Sequence, residues 1–249
     1  MKVKSILVSQ PEPVGDNNPY TALAAKHKVK IDFRPFIKVE GIPANEFRRD
    51  KINPRDFKAV IFTSKNGVDH YFRMCQELRV EINPEWKYYC VSEAVAFYLQ
   101  KFVQYRKRKI YPAKGSLNDL VPILKKQKDE HFLFPTSDVL NADIPALLLA
   151  SKIKYTRAIL YRTVASDLSD LAEIKYDILV FFSPEGIKSL YINFPDFMQN
   201  ETRLAGFGSS TQQAIAEASL RLDIPVPTPE SPSMITALDT YIKEANKGK

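Results

Sequence analysis

The segment Ile178-Leu179-Val180-Phe181-Phe182-Ser183-Pro184-Glu185-Gly186-Ile187 constrains the fold more than any other stretch of the chain. Its apolar run is rich in β-branched and aromatic residues, is far too short to span a membrane, and breaks abruptly at Ser-Pro-x-Gly. It reads as a strand buried on both faces, then a tight turn, then a helix that continues through Ile187, Leu190 and Tyr191. Ser183 is the expected N-cap and Pro184 the first helical residue, where its missing N–H costs nothing. A doubly buried strand feeding a helix belongs in a parallel sheet covered on both sides. Such a turn leaves a small hydroxyl and free main-chain N–H groups at the carboxyl end of a strand, where open α/β sheets bind ligands. Ser183, Pro184 and Gly186 are therefore candidate anion-binding residues.

The same arrangement is written earlier, in Val60-Ile61-Phe62-Thr63-Ser64-Lys65-Asn66-Gly67-Val68. Phe62 and Phe181 lie 119 positions apart, Val91 and Phe207 lie 116 apart, and Pro112 and Pro229 lie 117 apart. Three echoes in one order at nearly one spacing imply a duplication of about half the chain. Two similar α/β units with a cleft between them are the expectation.

Read in order, the chain starts with a short strand (Lys4 to Ser9), a helix (Tyr20 to His27) and a second strand (Val29 to Phe33). Arg34 to Glu40 is extended, alternating and free of Gly-Ser character, as expected of a strand that bridges two domains. Strand and helix then alternate: Ala59 to Phe62, Ser64 to Arg79, Lys87 to Val91, Glu93 to Val103, Lys109 to Tyr111 and Leu117 to Lys126. A buried strand ending in hydroxyls, Phe132 to Ser137, precedes a helix near Ala142 to Ala150 and a long strand from Ile153 to Val164. The last third alternates again, with strands ending at Phe182, Phe207 and Val226 and helices Pro184 to Asn193, Ser210 to Ala218 and Ser233 to Ala245. Strict alternation with short connections predicts doubly wound parallel sheets.

Composition removes several function classes. Among 249 residues there are only 8 glycines, with no Gly-x-Gly-x-x-Gly after a strand and no Gly-Lys-Ser/Thr loop, so nucleotide cofactors lack their usual turns. His27, His70 and His131 share no ligand spacing with Cys, Asp or Glu; no metal site and no His-based triad is expected. Cys75 and Cys90 form no metal or redox motif and are expected to be reduced packing residues. The net charge of +7 suits an acidic partner. The densest basic run, Tyr105-Arg106-Lys107-Arg108-Lys109, reads as a solvated sheet edge, and no nucleic-acid signature accompanies it. No run is long and apolar enough for a membrane span. The start Met1-Lys2-Val3-Lys4 leads straight into a strand without a signal-peptide pattern, so a cytoplasmic location is expected.

What remains is a set of hydroxyls at strand ends: Thr63 and Ser64, Ser92, Thr136 and Ser137, Ser183, and Ser209 with Ser210 and Thr211. Each is also what helix capping alone would place there. The recurrence in both halves, with the basic excess, points to a ligand bearing several carboxylates or phosphates. Tyr161 lies where the chain would cross between units. It reads either as strand packing or as a phenol placed to donate a proton.

Phe62-Thr63-Ser64, Phe181-Phe182-Ser183-Pro184-x-Gly186, Gly208-x-Ser210-Thr211, Leu160-Tyr161-Arg162-Thr163-Val164 and Pro229-Glu230-Ser231-Pro232-Ser233 together resemble the uroporphyrinogen-III synthase family over essentially the full length. The resemblance implies an α/β fold of two flavodoxin-like, doubly wound parallel-sheet domains joined by a two-stranded antiparallel connection. The crossings would fall near Phe36 and Arg162, giving residues 1–36 plus 163–249 as one domain and 37–162 as the inserted one. It implies a monomeric, cofactor-free lyase. Such an enzyme dehydrates and cyclises the linear tetrapyrrole hydroxymethylbilane with inversion of the terminal ring, through an azafulvenium cation and a spiro intermediate. By position, Tyr161 matches the family tyrosine proposed to assist departure of the hydroxyl. Thr63, Ser64, Lys65, Ser92, Ser137, Ser183, Pro184, Gly186, Ser210 and Thr211 are the substrate-binding residues the resemblance and the strand-end pattern nominate. Two departures stand out: Ser92 where the family commonly has glycine, and Val95 where it often has threonine. The competing readings are a non-catalytic bilobal binder of an acidic metabolite and a nucleotide-sugar transferase, the latter disfavoured by the missing glycine-rich turn.

Overall fold

The computed structural model describes residues 2–15, 18–127, 129–171 and 175–247. The described elements are β1 (Ser5–Val8), α1 (Pro19–His27), β2 (Lys30–Phe33), β3 (Ile37–Gly41), α2 (Ala44–Phe47), β4 (Ala59–Phe62), α3 (Lys65–Glu77), β5 (Lys87–Cys90), α4 (Glu93–Leu99), β6 (Ile110–Pro112), α5 (Leu117–Lys125), β7 (Phe132–Ser137), α6 (Asp143–Ala150), β8 (Tyr155–Ala165), β9 (Ile178–Phe181), α7 (Pro184–Asn193), β10 (Arg203–Phe207), α8 (Ser209–Glu217), β11 (Leu222–Val226) and α9 (Met234–Lys247). Strands and helices alternate as the hydrophobic pattern predicts. The one-turn helix α2, too short to leave a periodic signal, is the α-helix that pattern does not announce. The chain divides into two compact units, residues 1–38 with 164–249 (unit 1) and residues 39–163 (unit 2).

Unit 1 is a five-stranded parallel sheet in the order β2-β1-β9-β10-β11. Numbered within the unit this is 2-1-3-4-5, the flavodoxin-like doubly wound order. Ile178 and Val180 of β9 pack on one face with Leu23, Leu238 and Ile242, while Leu179 and Phe181 pack on the other with Ile187, Leu190 and Ile215. Both faces of β9 are covered, which is why its sequence carries no polar alternation. Burying each such side chain contributes roughly 1.5–3 kcal/mol.

Unit 2 has the order β3-β8-β7-β4-β5-β6. Strands β4 to β8 run parallel. β3 lies antiparallel on β8: Ile42 N donates to Leu160 O (2.9 Å) and Ser166 N to Phe36 O (2.8 Å), so index rises along one strand as it falls along the other. The chain passes between the units along this pair. The basic run Tyr105 to Lys109 precedes β6, one of the two edge strands of the sheet, with Arg106, Lys107 and Arg108 exposed.

Counted from β7, the parallel strands of unit 2 also follow the order 2-1-3-4-5. β4, β5 and β6 thus correspond to β9, β10 and β11, while β7 and β8 correspond to β1 and β2. The sequence echoes fall on these equivalences: Phe62 and Phe181 close β4 and β9, and Val91 and Phe207 stand at the ends of β5 and β10. In each unit a two-strand piece from one copy of the repeat pairs with a three-strand piece from the other copy. Unit 1 takes its pieces from the two ends of the chain, and unit 2 takes both from the middle.

Candidate functional site

Strand order reverses between β7 and β4 in unit 2, and between β1 and β9 in unit 1. At such a switch point the loops leave in opposite directions and open a crevice at the strands' carboxyl ends. Ser64 and Ser137 flank the switch in unit 2, and Ser9 and Ser183 flank it in unit 1.

In unit 2, β4 ends at Phe62 and the chain turns through Thr63 into Ser64, whose Oγ accepts from Gly67 N at 3.0 Å and caps α3. The same Oγ lies 3.2 Å from the Tyr161 hydroxyl, 97 residues away. Tyr161 is on β8, where an irregularity of register between Thr136 and Ser137 sets Tyr161, not Leu160, opposite Ser137. A bulge of this kind re-aims a side chain. The His70 ring stacks on the Tyr161 phenol, centroids 4.9 Å apart and planes 19° from parallel. Arg73 Nε donates to His70 Nδ1 (3.3 Å), and its Nη2 donates to Ile42 O (2.8 Å) and Leu160 O (3.0 Å). Glu77 balances the guanidinium at 2.5 Å. Burial, and secondarily the Arg73 charge, hold the His70 pKa below the ordinary 6.5 against the opposing pull of Asp69.

The other nominated residues of unit 2 spread along the same edge. Thr63 is half-buried beside the cap, and Lys65 is exposed with its ammonium 5.4 Å from the Tyr98 ring centroid. Ser92 caps α4, accepting from Val95 N at 3.3 Å. It also lines a hollow of about 450 Å³ with Glu93, Ala94, Pro112, Ala113 and Lys114. Ser137 donates to Val139 O, and Arg157 fixes that loop by donating to Thr136 Oγ1 (2.9 Å), Ser137 O (2.8 Å) and Asp138 O (2.7 Å).

In unit 1, Ser183 caps α7 by accepting from Gly186 N at 3.2 Å, and Pro184 opens the helix as its sequence predicts. α8 is different. Its N-cap is Gly208 at φ 83°, a left-handed conformation that favours glycine, and no side chain caps it. Its first-turn amides are thereby left to a ligand or solvent. Ser210 is exposed there, whereas Thr211 is only 1% exposed and its hydroxyl has no partner among the described residues. At that position α8 has its main chain to offer, since the hydroxyl is enclosed. Phe182 and Phe207 form a tilted aromatic pair (5.9 Å) beside these turns.

A hollow of about 900 Å³, larger than the one at Ser92, lies elsewhere, at the amino ends of β9 and β10, and is lined by Tyr176, Asp177, Phe197, Met198 and Arg203 among others. Size alone does not make it the site, because the helix amino termini and strand-end hydroxyls gather at the opposite edge of the sheet. Among the described residues no cluster of His, Cys, Asp and Glu could hold a metal ion. Cys75 and Cys90 are free and buried, and burial pushes each thiol up to about 12, so neither supplies a thiolate near neutral pH. No described helix is long and apolar enough to cross a membrane.

The sequence motifs assign no role to Arg73, weigh His70 only as a metal ligand or triad member, and do not pair Phe182 with Phe207. His70 and Arg73 sit at i and i+3 on the helix that Ser64 caps, a spacing visible in the sequence but without meaning until β8 is placed beside it.

The family profile described as Uroporphyrinogen-III synthase HemD matches residues 18–236. No curated protein matches the chain. The solved uroporphyrinogen-III synthetase from Helicobacter pylori 26695 is 19% identical with a TM-score of 0.61, the match covering 97% of this chain and 99% of that one. A mutant uroporphyrinogen III synthase from the extremely thermophilic bacterium Thermus thermophilus is 13% identical with a TM-score of 0.50, covering 99% and 100%. At these identities the likeness is one of fold.

Proposed function

This chain belongs to the uroporphyrinogen-III synthase HemD family, and from that premise we propose that it converts hydroxymethylbilane to uroporphyrinogen III without a cofactor. The observation that carries the reading is the Tyr161 hydroxyl held 3.2 Å from Ser64 Oγ at the carboxyl edge of unit 2. Ser64 Oγ already accepts a hydrogen bond from Gly67 N, and its own O–H can be donated to the phenol oxygen. With Ser64 donating, the phenol's proton points away toward a substrate and a developing phenolate is stabilised.

In this mechanism Tyr161 gives its proton to the hydroxymethyl oxygen, which leaves as water, and the electron pair of the pyrrole nitrogen completes an azafulvenium cation. The substituted α-carbon of the terminal ring attacks that cation, closing a spiro intermediate. The older bond of the spiro carbon, to the methylene of the neighbouring ring, then breaks and leaves a second azafulvenium there, and the free α-carbon of the inverted terminal ring attacks it and closes the macrocycle. The final loss of a ring proton restores the aromatic pyrrole, and that proton can return to Tyr161. Unassisted closure proceeds without inversion, so catalysis consists largely of holding one folded geometry. The acetate and propionate groups suit the helix amino termini behind Ser64, Ser92, Ser183 and Gly208, where main-chain N–H groups and positive dipole ends favour anions. Thr63, Lys65, Ser137, Pro184, Gly186, Ser210 and the Thr211 amide complete the proposed contacts. The Phe182–Phe207 pair offers an apolar surface for a pyrrole ring.

The experiment is incubation with enzymatically generated hydroxymethylbilane, followed by oxidation and separation of the porphyrin isomers. The expected result is predominance of the type III isomer at catalytic protein concentration. Predominance of type I at stoichiometric protein would reject the enzyme and leave a binder of acidic metabolites.

A further inference from the structure

Two contacts meet Tyr161 and a third holds the residue before it, and all three come from one helix and its cap. Ser64, the cap of α3, meets the phenol hydroxyl; His70, within α3, covers the ring face; Arg73, one turn on, holds the carbonyl of Leu160, the residue before Tyr161. Arg73 has donors only, so the bond from its Nε requires His70 Nδ1 to accept. The imidazole is then neutral with its proton on Nε2, and it places no positive charge beside a cation forming next to the phenol. The Arg73 charge itself is matched by Glu77.

A phenol on a strand is free to rotate about two torsions. The hydroxyl contact with Ser64 restrains it at one point, and the stacked ring defines its plane. We infer that His70 and Arg73 are positioning residues for Tyr161, fixing the phenol's plane so that its hydroxyl stays on Ser64; this rests on the reading of Tyr161 as the acid. Nothing in the sequence motifs marks either residue for this role.

The test compares His70→Ala, which removes the ring, with His70→Phe, which keeps a ring of similar size and loses the nitrogen. With hydroxymethylbilane as substrate, kcat is expected to fall about tenfold or more in His70→Ala with KM little changed, as for misplacement of a reacting group. His70→Phe is expected to recover most of that loss. An unchanged kcat in His70→Ala overturns the inference. So does an equal loss in both variants, which would assign the imidazole nitrogen a chemical role instead.

A second readout is independent of turnover. In protein carrying 13Cζ-labelled tyrosine, the Tyr161 resonance, assigned with Tyr161→Phe, is expected to shift in His70→Ala and to stay near the wild-type position in His70→Phe. The other eleven of the twelve tyrosines report on folding. An unmoved Tyr161 resonance in His70→Ala overturns the inference. Should wild-type protein give no uroporphyrinogen III, the proposed function falls while this resonance still decides the positioning role. If His70→Ala does not fold, Arg73→Lys, which keeps the charge and lacks the Nε–H, takes its place in both measurements with the same expected losses.

Discussion

Arg73 occupies the space that a side chain on Gly41 would need: a Cβ built on Gly41 would lie 2.7 Å from the guanidinium carbon. The obstacle is the far end of a flexible side chain, so Gly41→Ala is expected to displace Arg73 without disrupting the core. The loss is then that of the hydrogen bonds to Ile42 O and Leu160 O, about 1–2 kcal/mol. A lower urea midpoint at constant m-value would register it. Turnover should fall together with stability, because Leu160 leads directly into Tyr161.

Tyr161→Phe removes the proposed acid and little else, since the ring and its stacking on His70 remain. The expected loss in kcat is about 10²-fold or more, the usual contribution of a placed general acid, with binding of a product analogue retained. Ser64→Ala should lower kcat less and also cost about 1 kcal/mol of stability through loss of the α3 cap. Steady-state kinetics paired with denaturant titration separates the two effects, and unchanged turnover in Tyr161→Phe removes the phenol from the mechanism.

The Thr211 hydroxyl is enclosed without a partner among the described residues, a cost to the folded state. Thr211→Val keeps the shape and discards the orphaned group. It is expected to raise stability by roughly 1 kcal/mol. If the contact α8 offers a carboxylate here is its main-chain amide, KM for hydroxymethylbilane is unchanged; a clear rise in KM would return the contact to the hydroxyl.

On unit 1, Asp239 of α9 meets Lys26 (2.7 Å) and His27 (2.6 Å) at the end of α1. The Lys26 hydrogen bond first, and the His27 bond second, hold the Asp239 carboxyl below its ordinary 3.8. A carboxylate with a depressed folded-state pKa contributes stability that is fully present above the unfolded value and lost as pH falls through the folded one. Asp239→Asn should therefore be less stable than wild type at neutral pH, by no more than about 1 kcal/mol because the cluster is open to solvent. The difference should vanish as pH drops below 3.8. Thermal melts across that range would show the convergence, and a gap that persists in acid would contradict it.

The local grammar of the fold is legible in the chain. Ser183 and Pro184 open α7, Ser64 opens α3 and Ser92 opens α4, because a cap hydroxyl and a proline at the first helical position act within four residues of themselves. α8 departs from that expectation: the sequence predicts a helix from Ser210 behind a capping hydroxyl, whereas the helix starts at Ser209 and its N-cap is Gly208, which has no side chain to offer.

The sequence by itself determined the strands and every described α-helix but α2, their order, the doubly buried strands and the repeat at Phe62 and Phe181, since each depends on neighbours along the chain or on the polarity of a short run. Only the tertiary structure decided that β7 joins β4 while β1 joins β9, so that each sheet is assembled from both copies of the repeat. Both copies present short, buried, largely apolar strands, and the choice among such partners lies in long-range packing that no local pattern encodes. The same holds for Tyr161, whose meeting with Ser64 and His70 required β8 to be laid beside β7 with one residue of bulge; residues so far apart in the chain become a site through the sheet that carries them.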